Sequence, residues 1–482
     1  IEVLRGPQGL LFGRNVTGGA VLLRTTRPTD ELSINARVAG ETGSNQYYSA
    51  AIAGPLSDAV GGKVAAYYND DGGWHTNLFN GEDFGKAETK LFRAALEFTP
   101  TDVWDVMLRL EHGDSSGDGP ASQNAGLFRA DTFDFSIDNT GFYDSEWDQA
   151  IVEVTVDAGP GDGQFVNILG WRQYDSRTNG DIDASPFFVF HALSSTDHEQ
   201  ISNELRYTTT VGRTYVTTGL YYLSQDLAYR EQRLIPPAML NITGGGDQEQ
   251  STWGLFSNLD IGLTDEITLN LGARYSQEEK EGKVANIFTN RCVIGGSCSG
   301  YDLDDKETWS SITPKIGFQI MPSEDTQMYA FWTRGFRSGG YNMRHTSFTI
   351  PNEVFDEEKQ SSYEVGLKRD MAGGRVRINA AAYYNEIEDL QRELNLSDSI
   401  VGVVQLIRNT ADATITGFDL ELSAVLSDSL FLRASLGYVD GSYDEVRADL
   451  NGDGVVDSAD RQLALPRLAP WSYGGELIYS RD

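Results

Sequence analysis

The feature that most limits what this chain can fold into is an alternation in the length of the connections between its strand-like runs. From Glu31 onward, a connection of about five residues is followed by one of roughly 17 to 35, and the pattern repeats. Short connections fall near 99–102, 159–163, 209–213, 263–265, 322–325, 371–374 and 427–429. Long ones fall near 71–86, 113–148, 176–198, 227–248, 278–307, 338–360, 388–411 and 441–469. Tight turns at one end of every strand pair and large loops at the other are the sequence form of an antiparallel transmembrane β-barrel.

The runs themselves alternate in polarity. Ile267, Leu269, Leu271, Ala273 and Tyr275 share one face, and Thr268, Asn270, Gly272, Arg274 and Ser276 share the other. Trp104, Val106, Leu108 and Leu110 oppose Asp105, Met107, Arg109 and Glu111, while Leu430, Leu432, Ala434, Leu436 and Tyr438 oppose Phe431, Arg433, Ser435 and Gly437. An apolar face of about five residues ending in Trp or Tyr spans a hydrocarbon band and anchors at the headgroups. A water-soluble sandwich or propeller also alternates, but it would point Arg109 and Arg433 into a dry core and would need loops of about 30 residues, which compact domains rarely carry. No heptads and no run of 18 apolar residues occur, so a helical span is excluded, and the 51 glycines, 22 tyrosines and 22 phenylalanines suit strands and turns. The expected class is an all-β membrane protein.

A net charge of −33 excludes a nucleic-acid-binding surface and suits a polar lumen with long wet loops. Cys292 and Cys298, with five residues between them in a Gly/Ser-rich loop, fit either one local disulfide made in an oxidising compartment or two free thiols. No catalytic pattern is present. His75, His112, His191, His198 and His345 are scattered over loops, and carboxylate pairs such as Asp304 and Asp305 are expected by chance among 71 acidic residues. An enzyme is not expected.

Residues 1–28 (IEVLRGPQGLLFGRNVTGGAVLLRTTRP) differ from everything that follows. An apolar run, an Arg-Gly-Pro turn, a second turn at Gly18 and Gly19 and another apolar run read as the end of a small α/β domain. The glycines match neither phosphate-binding pattern, G-x-x-x-x-G-K-[ST] or G-x-G-x-x-G. The stretch resembles the last part of the plug domain of TonB-dependent outer-membrane receptors, through 2–7 with Gly6 and Pro7, Phe12 to Arg14 with Gly13, Gly18–Gly19, and the linker 25–28. Barrel segments at 329–342 (YAFWTRGFRSGGYN), Phe355 to Glu357, 362–368 (SYEVGLK), 389–391 (DLQ), 408–410 (RNT) and 417–422 (GFDLEL) are similar to the family's and follow its order.

The resemblance implies a plug remnant at 1–28 and a barrel over 29–482. About eighteen strands are counted against the family's twenty-two, so four are expected beyond the last residue, because an open barrel would leave strand edges in lipid. No signal peptide is visible, and a chain beginning inside a plug motif is expected to have residues upstream. The family's plug arginines pair with inner-wall glutamates, which points to Arg5, and secondarily Arg14, as partners of Glu364 and Glu421, both placed inward by alternation. The implied function is active uptake of a scarce bulky nutrient across the outer membrane of a Gram-negative bacterium. A ferric siderophore is the commonest ligand, with cobalamin, haem, nickel chelates or oligosaccharides as alternatives, and a passive porin or an adhesin as the rival from another class. The implied partners are outer-membrane lipid, the TonB complex and a small-molecule iron chelate, with the receptor a monomer.

One loop departs from this pattern. Residues 449–460 (DLNGDGVVDSAD) place Asp449, Asn451, Asp453, Asp457 and Asp460 at positions 1, 3, 5, 9 and 12 of a calcium-type loop, with Gly454 at the turn and Val455 offering its carbonyl. It resembles the dockerin-type loop more than that of a sensor. No cofactor is required otherwise, and a structural calcium ion is expected here, against a merely solvated acidic loop.

Overall fold

Polarity is inverted relative to a soluble domain. Apolar side chains such as Trp253, Leu255, Tyr275, Ile312, Tyr363 and Val365 face outward and exposed, whereas Arg274, Ser276, Gln250, Thr252 and Thr313 are buried inside. Lipid-facing strands with a polar lumen show this arrangement. The computed structural model describes residues 1–129, 131–398 and 402–481. Eighteen strands form one antiparallel sheet whose order runs in a ring, each strand pairing with its neighbour in the chain from Ser33–Glu41 to Trp471–Tyr479. Where the last strand neighbours the first in that ring, no residue-by-residue register is defined among the described residues, and all nine residues of Trp471–Tyr479 are exposed. No helix among the described residues is long and apolar enough to cross a membrane.

The expected tight turns lie where the sequence puts them, for example between Val211 and Thr214 and between Ser427 and Leu430. The long connections need correction, because much of what reads as loop is strand. Thr214–Ile235 pairs with Leu240–Gly262 over 22 and 23 residues, leaving a connection of only four residues. Val376–Asp398 and Gly402–Ser427 extend through most of the expected loop 388–411, of which 399–401 lie outside the described residues. At roughly 3.3 Å per residue a 22-residue strand is about 70 Å long, more than twice a hydrocarbon layer of about 30 Å. Beyond that layer both faces are wet, so alternation fades while backbone pairing continues. Small apolar clusters hold these outer parts, one of Phe84, Phe135 and Ile137 and another around Ile387, Ala413 and Tyr443.

Candidate functional site

The first 28 residues lie inside the barrel. Glu2–Arg5 pairs with Gly19–Leu22 as a two-stranded sheet, and Gly9–Phe12 forms one helical turn between them. Gly19 has to be glycine: its φ is 149°, and a Cβ would stand 2.3 Å from the Leu4 carbonyl oxygen. Gly6 and Gly13 also take positive φ (70° and 79°) at the two ends of the bend that carries Pro7 and the helix. Pro7 abuts Gly335 on the wall, and a side chain at Gly335 would meet its ring.

The helical turn is the tightly docked part. A Cβ on Gly9 would lie 2.9 Å from Thr313 Cγ2 and 3.1 Å from the Arg334 carbonyl, and Leu10 packs where Gly272 leaves room. Arg274, nearly fully buried, donates to Ser276 Oγ at 2.9 Å and to the Leu11 carbonyl at 3.5 Å, with its guanidinium over Tyr221 and Phe256. The Asn15 backbone N–H donates to the Phe336 carbonyl at 2.9 Å, and Ser338 N–H donates to Asn15 Oδ1 at 3.0 Å.

Charge pairs attach the segment at two further points. Arg5 Nη2 donates to Glu421 Oε1 at 2.8 Å, and its Nη1 lies 3.6 Å from Asp419 Oδ2. Glu364 faces the same cavity of about 1000 Å³ but is not an arginine partner; it accepts from Tyr329 Oη at 2.7 Å. Arg14 meets neither expected glutamate. Its Nη1 lies 3.6 Å from Glu278 Oε1, and its Nη2 donates to Gln225 Oε1 at 3.3 Å. Glu278 also holds Lys280 at 2.9 Å and accepts from Ser338 Oγ. Glu278 falls at the start of the expected loop 278–307 but lies within the strand Ile267–Ala285. Continued alternation from Arg274 through Ser276 to Glu278 and Lys280 was the available signal, and all four are buried. In the linker, Arg27 pairs with Glu97 at 2.5 Å and with Asp105.

Two other sites named from the sequence are local. Cys292 and Cys298 are joined by a disulfide. In 449–460, Asp449 accepts the Gly452 and Gly454 N–H groups at 2.6 and 2.7 Å, Asn451 accepts Asp453 N–H at 2.8 Å, and Asp453 accepts Val455 N–H at 2.9 Å. Asp457 caps the short helix Ser458–Arg461 by accepting Ala459 N–H. Asp460 is fully buried and ties the loop ends together, taking the Leu450, Asn451 and Asp457 N–H groups at 2.7 to 3.0 Å. Those hydrogen bonds, that of Asp457 foremost, hold its carboxyl below the ordinary range.

Known proteins carry the same architecture. The chain is 23% identical over 434 residues to the pesticin receptor of Yersinia enterocolitica, covering 87% of this chain and 60% of the relative. It is 23% identical over 500 residues to the ferric-pyoverdine M114 receptor PbuA of Pseudomonas sp. (strain M114), covering 95% and 57%. It thus spans about 60% of the length of the curated relatives it matches. Among solved structures, the ferric yersiniabactin uptake receptor FyuA from Yersinia pestis superposes with a TM-score of 0.80 at 18% identity over 98% of this chain and 70% of that one. The siderophore receptor PiuA from Acinetobacter baumannii gives 0.79 at 13% identity over 99% and 73%. The family described as TonB dependent receptor-like, beta-barrel matches residues 27–482, and the chain belongs to this family of receptors and transporters, which are not enzymes.

Proposed function

We propose that the chain is the barrel and plug-end part of an energised outer-membrane transporter for a metal chelate of the siderophore class. The observation that carries this reading is a short segment seated across the lumen by polar contacts, Arg14 on Glu278 and Arg5 on Glu421, beside a helical turn packed on the wall. A passive pore has no use for charge pairs that bar its own lumen. A gate needs contacts that hold while water is scarce and part when pulled, and charge-assisted pairs behave this way. The cargo class rests on the relatives, which include receptors named for ferric pyoverdine and ferric yersiniabactin. In this reading the long hairpins face the cell exterior and take the chelate. The tight turns face the periplasm, where the TonB complex pulls on the plug, and one chain is one transporter.

The test is uptake of radio-iron presented on a panel of hydroxamate, catecholate and mixed chelators by cells whose only such receptor is the complete gene product. Saturable accumulation that needs TonB and stops with a protonophore is expected for at least one chelate. Equal entry with and without TonB would overturn the transporter reading. Energised uptake of cobalamin, haem or an oligosaccharide instead would keep the transporter and replace the cargo.

We also infer that 449–460 holds one calcium ion. The reading rests on Asp449, Asn451, Asp453 and Asp457, spaced along an exposed stretch with positive φ at Gly452 and Gly454, with Val455 offering a carbonyl. Their oxygens now accept backbone N–H groups, and an ion would have to draw them together. Asp460, expected as the ligand at position 12, instead is buried with both oxygens taken by backbone N–H groups, and so fixes the frame. A hard cation would neutralise the three carboxylates of Asp449, Asp453 and Asp457 and keep the loop in one shape before ligand arrives.

A further inference from the structure

At the end of the barrel that carries the long connections, a cluster remains that transport does not use. His191 opens the strand His191–Val211 directly opposite Asp181, the last residue of Gln164–Asp181. Asp138 arrives from the connection 118–141, and its Oδ1 lies 2.9 Å from His191 Nε2. One ligand-capable atom from each of the three lies within 4.8 Å of the other two. Asp181 is 1% exposed. Its Oδ1 accepts Ala184 N–H at 2.9 Å, but its Oδ2 is buried with no hydrogen-bond partner. Among the described residues the ion pair made by these carboxylates is the one between Asp138 and His191, and neither has a lysine or arginine.

Three segments hold the cluster in place before anything binds. Ile137, beside Asp138, is fully buried with Phe84 and Phe135. Asn77 clamps Ile137 by donating to its carbonyl at 2.9 Å and accepting its N–H at 3.1 Å. Asp138 N–H donates to the Ser185 carbonyl at 3.2 Å, and Phe188 stacks on the His191 ring at 4.3 Å. Two carboxylates facing each other on rigid backbone, one with a buried oxygen that no N–H or hydroxyl reaches, are held together by a cation or by a shared proton between them, and the neighbouring imidazole favours the cation.

We propose that Asp138, Asp181 and His191 bind one divalent transition-metal ion of the zinc class. One imidazole nitrogen and two carboxylates are donors such an ion accepts, and three protein ligands leave a fourth position for water. Calcium and magnesium favour oxygen-only shells, so the imidazole argues against them. The ion satisfies Asp181 Oδ2 and staples the connection 118–141 to the hairpin formed by Gln164–Asp181 and His191–Val211. A second triad of similar spacing, His112, Glu146 and Asp148, is largely solvent-exposed and has no orphaned buried oxygen among the described residues, which makes it the natural control.

The experiment takes the full chain in detergent, strips it with a chelator, and titrates it with zinc by calorimetry and with cobalt(II) by visible absorption, in millimolar calcium to occupy acidic loops. One zinc ion per chain, with Kd roughly micromolar or tighter, is expected. His112→Gln should leave it unchanged, whereas Asp181→Asn and His191→Gln should each weaken it about tenfold or more. Zinc should also slow proteolysis within 118–141 in the wild type. If the variants fail to fold, the wild-type cobalt spectrum decides: intense bands of a four-coordinate site support the proposal, and a weak six-coordinate spectrum overturns it. Absence of saturable zinc binding, or a site lost in His112→Gln and kept in Asp181→Asn, also overturns it.

Discussion

Arg5 and Arg14 sit nine positions apart on one segment and each pairs with a wall glutamate, Arg5 by a hydrogen bond at 2.8 Å and Arg14 by an ion pair at 3.6 Å, in opposite surroundings. The Arg14 side chain is 21% exposed and its partner Glu278 is 3% exposed, whereas Arg5 and Glu421 are 61% and 43% exposed. Around Arg14 the segment is also pinned by the helical turn, Asn15 and Arg274. Around Arg5 it is a two-stranded ribbon of four residues a side bordering the cavity of about 1000 Å³, and such ribbons are marginal alone. Burial thus separates an anchor from a latch, and a pull transmitted along the segment should free the ribbon before the helical turn.

The largest break in this contrast should come from Glu278→Ala, which strands Arg14 and Lys280 together in a buried site. Removing one partner from a buried ionic cluster costs about 3–5 kcal/mol. Urea unfolding in detergent should show it, with segment 1–28 becoming protease-sensitive. Arg14→Ala should cost less, about 1–3 kcal/mol, because Glu278 retains Lys280 at 2.9 Å. Neither loss should shrink much at high salt. Arg5→Ala should cost under about 1 kcal/mol and become undetectable near 1 M salt, where the screening length is about 3 Å. An Arg5 variant as damaging as the Arg14 variant would erase the distinction.

The smallest effects belong to the loop 449–460, which sharpens the comparison because its buried charge is paired with backbone. Asp460 has a folded pKa below its unfolded one, so its contribution is complete above about pH 4 and is lost only as pH falls through the lower folded value. Protease resistance of this loop should therefore persist at about pH 4 and fail below it. Calcium at roughly 0.1–1 mM should raise that resistance further, and Asp453→Ala should abolish the calcium response.

How much of this was legible depended on which face met lipid. Leu269, Leu271 and Tyr275 alternate with Asn270 and Arg274 because hydrocarbon enforces it, so strands, inner faces and the inward Glu364 and Glu421 could be read off. Above the lipid band nothing enforces alternation, and the upper halves of Thr214–Ile235 and Val376–Asp398 read as loops. Glu278 differs from these, since inward alternation still runs from Arg274 through Ser276 to Glu278 and Lys280, and only the run of charged residues around it reads as loop. Arg5 found Glu421 because its neighbourhood lies within the alternating zone, but the choice of Glu421 and Asp419 over Glu364 depends on Tyr329, which already occupies Glu364. A contact between residues over 400 positions apart has no local sequence signal.

Amide hydrogen exchange on the receptor in detergent, resolved along 1–28, tests the unequal attachment most directly. The amides of Phe12, Gly13 and Asn15, bonded to Gln8, Gly9 and Phe336, should exchange slowly and be insensitive to salt. Those of the ribbon 2–5 and of Gly6 should exchange faster, and faster still as salt weakens the Arg5–Glu421 pair. Uniform exchange along the segment, or a ribbon better protected than the helical turn, would contradict the account.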